Sequence, residues 1–154
     1  TGGLNGWISY SLGFNRYTDR STGERFDGDF DQRHTFNAHL SYRLTGRMSV
    51  AAKLRAGSNF PLAGYWENRG GSYFVSAVRN GERIPAYRRL DVRGSRTFTA
   101  GRTRLTLFVE LLNALGSDNR RFNVPSVNTR TGQVTGLLEQ QIPRVPSAGL
   151  LVEF

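Results

Sequence analysis

Residues 87–115, with the sequence YRRLDVRGSRTFTAGRTRLTLFVELLNAL, give the clearest structural signal in this chain. Two runs of alternating apolar and polar residues lie on either side of Gly101. Alternation with a period of two is typical of a β-strand whose two faces meet different surroundings. The apolar set is Leu90, Val92, Gly94, Phe98, Leu105, Leu107, Val109 and Leu111, and the polar set is Arg89, Asp91, Arg93, Arg104, Thr106 and Glu110. The stretch predicts an antiparallel hairpin with one apolar face and one polar face.

The register of this hairpin is predicted from a turn at Ala100-Gly101. A slip of one residue would move every apolar side chain to the wrong face, so the pattern restricts the register strongly. The expected pairs are Thr99 with Arg102, Phe98 with Thr103, and Gly94 with Leu107.

Charged residues are dense on the polar face of the same hairpin. In the expected register Asp91 lies opposite Glu110, an unfavourable pair unless cations neutralise it. Arg89 and Arg93 are two residues from Asp91 on the same face. We therefore expect a lattice of ion pairs there, which stiffens the wall of the sheet or lines a path for a solute.

Length and composition limit the class of protein. The chain has 154 residues, of which 38% are hydrophobic, with 18 Gly and 10 Phe. No run approaches the roughly 20 apolar residues of a membrane-spanning helix. The absence of cysteine excludes a disulfide scaffold and a thiolate metal site within the chain.

The net charge of +9 raises the possibility of a nucleic-acid partner. The arginines are spread over alternating strands, however, and no zinc finger, basic helix or RNA-binding signature is present. We expect no nucleic acid, and the charge favours an anionic ligand only through electrostatic focusing.

Four further stretches show the same alternation. They are residues 4–14, 34–44, 48–56 and 146–154, and with the hairpin they give six expected strands. The connections alternate between short ones, at 45–47 and 99–102, and long ones, at 15–31, 59–85 and around residue 128. Membrane β-barrels sort their connections in this way, with short turns at one end and long loops at the other. The predicted fold is therefore all-β, as part of the wall of an antiparallel transmembrane β-barrel.

The C-terminal half resembles the last three strands of TonB-dependent outer-membrane receptors. Residues 84–93, IPAYRRLDVR, resemble the third-from-last strand, and residues 107–113, LFVELLN, resemble the penultimate one. Residues 146–154, PSAGLLVEF, are similar to the last strand with its terminal aromatic residue. Residues 114–116, ALG, depart from the Asn-Leu-Phe-Asn-like motif that commonly ends the penultimate strand.

This resemblance implies a location in the outer membrane of a Gram-negative bacterium and active uptake of a large, scarce solute. The family's solutes include ferric siderophores, cobalamin, and in some lineages glycans or peptides. Its barrels have 22 strands closed by an N-terminal plug domain. Residues 1–154 would then be the C-terminal part of such a barrel, without the plug. Contact with TonB would occur only through that missing domain, and no cofactor is implied.

The candidate site residues are those expected to point into the barrel lumen. They are Asn37, His39, Lys53, Arg55, Arg89, Asp91, Arg93 and Glu110. Lipid is expected against the opposite face, at Leu40, Val50, Val92, Leu107, Val109 and Leu150. His34 and His39 would be roughly 17 Å apart along one strand, too far to share a metal. We expect neither a catalytic residue nor a metal site.

Phe154 ends the chain in phase with the apolar residues of the last strand. A terminal aromatic residue of this kind resembles the signal that outer-membrane proteins present to the barrel-assembly machinery. The simpler interpretation is a residue of the aromatic belt at the membrane interface.

Two other functional classes remain open on the sequence. One is a small structural or adhesive outer-membrane barrel without transport. The other is a barrel enzyme, which needs a Ser–His or Asp–His pair that no local motif supplies.

Overall fold

The computed structural model describes residues 3–154, and these residues form fourteen β-strands. The six long strands are β1 Gly3–Leu12, β4 His34–Thr45, β5 Met48–Gly57, β8 Tyr87–Ala100, β9 Thr103–Leu112 and β14 Val145–Glu153. The eight short strands are β2 Arg16–Thr18, β3 Arg25–Asp27, β6 Trp66–Arg69, β7 Ser72–Val75, β10 Arg120–Phe122, β11 Ser126–Val127, β12 Gln133–Thr135 and β13 Leu138–Gln140. The described residues contain no helix long and apolar enough to cross a membrane.

The six long strands form one antiparallel sheet in the order β1-β4-β5-β8-β9-β14. Each of these strands pairs with the next long strand along the chain, so the sheet is a simple meander. The sheet is open, with β1 and β14 at its two edges. The prediction of an antiparallel all-β fold with six long strands is confirmed.

The connections are sorted by length between the two ends of the sheet. Two-residue turns follow β4 and β8 at the same end of the sheet, and the amide of Thr97 on β8 donates to the carbonyl of Arg47 in the first turn at 2.8 Å. The first, second and third connections, residues 13–33, 58–86 and 113–144, leave the opposite end. The predicted alternation of short and long connections is confirmed.

The short strands give structure to the long connections. The β2–β3 hairpin lies in the first connection, and the β10–β13 pair lies in the third. A four-stranded sheet, β11-β12-β7-β6, joins the third connection to the second. Residues 128–133 form the tip of a hairpin within the third connection, since Val127 pairs with Val134.

The predicted register of the β8–β9 hairpin is wrong by two residues. Ala100 pairs with Thr103, so the turn consists of Gly101 and Arg102 rather than Ala100 and Gly101. Gly101 has φ 61°, and a two-residue turn of type II′ requires such a glycine at its first central position. A shift of two residues leaves every side chain on its predicted face, because the period is two.

The corrected register also removes the expected clash of like charges. Glu110 lies opposite Arg93, and Asp91 lies opposite Lys53 on the neighbouring strand. Each carboxylate therefore has a cation as its cross-strand neighbour.

Two strand ends differ from the prediction by two or three residues. The first strand ends at Leu12 rather than at residue 14, and β9 ends at Leu112 rather than at residue 115. Asn113 stops β9 because it adopts φ 50°, outside the extended region.

One face of the sheet is apolar, and it is exposed. Opposed residues of an antiparallel pair share a face, which extends the alternation across all six strands. Val109 is 64% exposed, Ile8 75% and Leu40 52%. The six side chains predicted on this face, Leu40, Val50, Val92, Leu107, Val109 and Leu150, all lie on it.

The buried core of the described residues lies outside the long sheet. No residue of the six long strands is buried. The core cluster belongs to the second and third connections, and its members are Leu62, Ile84, Val134 and Leu137, with Phe60, Trp66, Tyr73 and Leu138 packed against them. The connections thus hold themselves together, and the long sheet presents both faces to its surroundings.

Candidate functional site

The eight candidate residues predicted from the sequence lie together on the polar face of β4, β5, β8 and β9. The registers align His39, Lys53 and Asp91 in one cross-strand row. Asn37, Arg55 and Arg89 form the next row toward the long connections. Arg93 and Glu110 form the row on the other side. We call these eight residues the polar-face cluster.

Asp91 is the acidic centre of this cluster. Its Oδ1 accepts from Arg89 Nε at 2.8 Å and from the amide of Asn113 at 2.9 Å. The Asp91 side chain is 18% exposed, so these donors replace much of its lost hydration. Because Asn113 follows the end of β9, the same hydrogen bond fixes the point at which β9 leaves the sheet.

Arg93 takes part in an aromatic stack rather than in the expected ion-pair lattice. Its guanidinium carbon lies 3.8 Å from the centroid of the Phe108 ring, a cation–π contact. Phe108 pairs with Gly149 on β14, and the ring covers this glycine. Phe108 was not among the residues predicted from the sequence, although a large aromatic residue in the polar phase, opposite a glycine, is a signal for this contact.

The two histidines do not form a common site. His39 belongs to the polar face and lies beside Trp7, with 6.4 Å between ring centroids. His34 belongs to the apolar face, where its Nδ1 is 2.8 Å from the hydroxyl of Tyr10. Within residues 3–154 no group of three or more His, Asp or Glu side chains is arranged to hold a metal ion.

A second candidate site lies between the first and second connections, and sequence analysis missed it. It is a cavity of about 690 Å³, which we call the basic cavity. Its lining contains five arginines and one aspartate. The lining residues are Arg16, Tyr17, Thr18, Arg25, Phe26, Asp27, Arg33, Arg79, Asn80, Gly81 and Arg83.

Arg83 fastens the two connections at the base of this cavity. Its Nη2 donates to carboxylate oxygens of both Asp27 and Asp31, at 2.7 Å for Asp31. Its Nη1 donates to the carbonyls of Asp31 and Asn59 at 3.0 and 2.9 Å. The guanidinium therefore spans from the second connection to two acidic residues of the first.

Asp31 is the buried anion of this junction, and its side chain has no exposed surface. Burial alone would raise the pKa of the carboxyl group. Hydrogen bonds from Arg83 and from the amide of Asn15 outweigh burial and hold the pKa of Asp31 below its ordinary value. The same pairing offsets the desolvation of Arg83 and raises the pKa of its guanidinium.

Asn80 forms a second set of hydrogen bonds between the first and second connections. Its Nδ2 donates to the carbonyl of Asp27 at 2.8 Å and to Oδ1 of Asp29 at 2.7 Å. Its Oδ1 accepts from the amide of Gly64 at 2.9 Å. Asn80 has φ 55°, a left-handed conformation that asparagine adopts more readily than most residues.

Three of the arginines retain donors that the junction does not use. Arg16 is 68% exposed and approaches Asp27 at 3.4 Å through Nε. Arg25 has no carboxylate partner within 4.0 Å in the described range. Arg79 lies over the Phe26 ring at 4.6 Å, and its buried Nε has no hydrogen-bond partner among residues 3–154.

Comparisons of the chain with protein-family models, with curated proteins and with solved structures found no match.

Proposed function

We propose that the chain forms part of the transmembrane barrel wall of a TonB-dependent receptor, in the outer membrane of a Gram-negative bacterium. The observation that carries this proposal is the six-stranded sheet, whose apolar face is exposed while its other face bears the polar-face cluster. A soluble sheet would bury its apolar face in a core. A membrane barrel turns that face toward lipid and its polar face toward the lumen.

The edges of the sheet support the same proposal. Unpaired backbone groups find no water in a bilayer, so only closed sheets span membranes. Each edge of the open sheet therefore needs a further strand, and β1 and β14 would join the remaining strands of a larger barrel. In this arrangement the three long connections lie outside the cell, and the two-residue turns lie in the periplasm.

The location of charge agrees with this orientation of the sheet. Arg88 and Arg96 are the arginines of β8 in the phase of the apolar face; Arg88 is the second residue of β8, and Arg96 lies opposite Met48, the first residue of β5. An arginine there can extend to the interface, where its cost is small. Arg96 lies over the Phe98 ring at 5.0 Å, close to the turn end of β8.

Phe154 follows β14 and is 99% exposed. In the proposed barrel it lies at the periplasmic end of the last strand. Such a residue is available both to lipid and to the barrel-assembly machinery.

The proposed activity is uptake of a large solute, driven through a plug domain that contacts TonB. In cells that produce the intact receptor, we expect growth on the limiting solute to require both the receptor and TonB. Loss of either should abolish solute accumulation, while solute binding to the cell surface should persist without TonB. Accumulation that is unchanged without TonB would contradict the proposal and favour a structural or adhesive barrel.

A further inference from the structure

We propose that the basic cavity binds a small multivalent oxyanion, a molecule that carries at least two phosphate or carboxylate groups. This inference deepens the proposed function by naming the class of ligand, and it rests on that function for its biological role. Binding itself is a property of the cavity and can be measured without transport.

The walls of the cavity are fixed before any ligand arrives. Arg33 reaches Asp27 at 3.1 Å and Asp31 at 3.3 Å, and Arg83 holds the same two carboxylates. These two arginines and two aspartates neutralise one another at the base. A binding site that is already ordered avoids part of the entropic cost of association.

The remaining three arginines have at most one distant carboxylate contact each among the described residues. Arg16 has one carboxylate contact through Nε, which leaves its terminal nitrogens available. Arg25 has no carboxylate partner in the described part of the chain. The guanidinium of Arg79 lies 3.6 Å from Asp29, and its backbone amide donates to Glu24 Oε1 at 3.4 Å.

The positions of these guanidinium groups indicate more than one anionic group on the ligand. Arg16 lies opposite Asp27 on the β2–β3 hairpin, and Arg25 lies opposite Thr18. Arg16 and Arg25 are therefore diagonal neighbours on one face, roughly 7–8 Å apart at the backbone. Each planar guanidinium can bind one phosphate or carboxylate in a bidentate manner.

The size and lining of the cavity suit a ligand larger than a single inorganic ion. A volume of about 690 Å³ is within the range of small-molecule sites, roughly 300–1,000 Å³. Tyr17 and Phe26, whose ring centroids are 5.9 Å apart, add apolar surface to the lining. The ligand class is thus a compact polyanion with some carbon framework or bridging atoms between its charged groups.

Isothermal titration calorimetry of the purified intact receptor that contains this chain, in detergent at low salt, tests the proposal. The two probes are pyrophosphate and citrate, which separate a phosphate ligand from a carboxylate ligand. We expect one or both to bind with a stoichiometry of one, and more weakly as salt is added. Arg16→Gln and Arg25→Gln should each weaken binding by about tenfold, because each removes a charge-assisted contact.

Arg130→Gln is the matched control, since Arg130 is exposed at the tip of the third connection and carries the same charge. It should leave affinity unchanged. If neither probe binds the wild type at millimolar concentration, or if Arg130→Gln loses as much affinity as the cavity variants, the proposal is wrong.

Arg16→Lys and Arg25→Lys are controls for the case in which the glutamine variants lose binding because they misfold. They keep the positive charge but lose the bidentate guanidinium, so they should bind more tightly than the glutamine variants and more weakly than the wild type. Loss of binding in a folded lysine variant comparable to that in the glutamine variant would show that local structure, and not oxyanion charge, is responsible. Because the assay requires neither TonB nor a membrane, its outcome is independent of whether solute uptake is confirmed.

Discussion

Glycines at two positions of the long sheet have opposite surroundings, although the sequence presents them alike. Gly149 lies beneath the Phe108 ring, which in turn carries the guanidinium of Arg93. Gly94 lies on the apolar face, where an added Cβ would be 3.8 Å from a methyl group of Val109. An aromatic ring over a glycine is a known way to stabilise a strand that lacks a side chain.

We therefore expect Gly149→Ala to destabilise the protein by roughly 1–3 kcal/mol, because the new methyl group overlaps the Phe108 ring and displaces it. Gly94→Ala should be neutral or stabilising by up to about 1 kcal/mol, since glycine weakens a strand interior. Urea unfolding of both variants measures the difference. Equal effects at the two positions would contradict the stacked arrangement.

The stability of the junction between the first and second connections depends on pH because of Asp31. The pKa of Asp31 is lower in the folded chain than in the unfolded chain, where it is about 3.9. The folded state then binds fewer protons, so this stabilisation is present above about pH 4 and is lost as pH falls through the lower, folded value. The junction should loosen in acid.

Asp31→Asn should destabilise the junction by roughly 2 kcal/mol at pH 7, because Arg83 and Arg33 lose a buried partner. The acid-dependent loss below pH 4 should become smaller in the same variant. Amide exchange of Asn15, whose N–H donates to Asp31 Oδ1, reports the opening. Asp118→Asn, at a carboxylate that is 52% exposed, is the control and should change little. An unchanged acid response in Asp31→Asn would count against this origin of the pH dependence.

At the scale of elements, the alternating pattern of the β8–β9 hairpin determines which face each side chain occupies, and the turn determines the register. The alternation from Leu90 to Leu111 assigns each side chain to a face, because that property is local and has a period of two. The register depends in addition on which residue takes the positive φ of the turn. Two registers that differ by two residues satisfy the same alternation, and Gly101 at the first turn position selects one of them.

Engineered disulfides can distinguish the two registers. Thr97 and Thr106 are opposed, and their hydroxyl oxygens are 2.9 Å apart. Directly opposed Cα atoms are roughly 4.5–5.5 Å apart, which a disulfide can span. The chain has no native cysteine to interfere. We expect the pair Thr97→Cys and Thr106→Cys to oxidise readily, and the pair Thr97→Cys and Arg104→Cys to oxidise poorly. The reverse order would restore the register with its turn at Ala100-Gly101.

The contacts that form the basic cavity could not be predicted from a single sequence. Arg83 and Asp31 are 52 positions apart, and nothing in either local stretch predicts their contact. The contacts of Asn80 with Asp27 and Asp29 could not be predicted either, because the sequence around Asn80 indicates only a loop. The polar-face cluster was predictable because its members repeat every second residue on adjoining strands. Contacts between loops have no such period.

At the scale of the whole molecule, the distribution of burial explains the architecture. The four buried apolar side chains of the described residues belong to the connections, while the long sheet keeps large apolar residues exposed. An apolar surface of this extent marks a contact with lipid or with another protein. The uniform phase of that surface across six strands favours a bilayer, because a bilayer contacts every strand alike.

We infer that the apolar face contacts lipid and the polar face contacts water. Single cysteines at positions 105 to 111 of β9, each carrying a nitroxide, test it in lipid vesicles by measuring collision with oxygen and with a water-soluble nickel complex. We predict that oxygen accessibility is highest at Leu105, Leu107, Val109 and Leu111, and that nickel accessibility is highest at Thr106, Phe108 and Glu110. Accessibilities that do not alternate, or nickel access at Leu107 and Val109 equal to that at Glu110, would contradict the account.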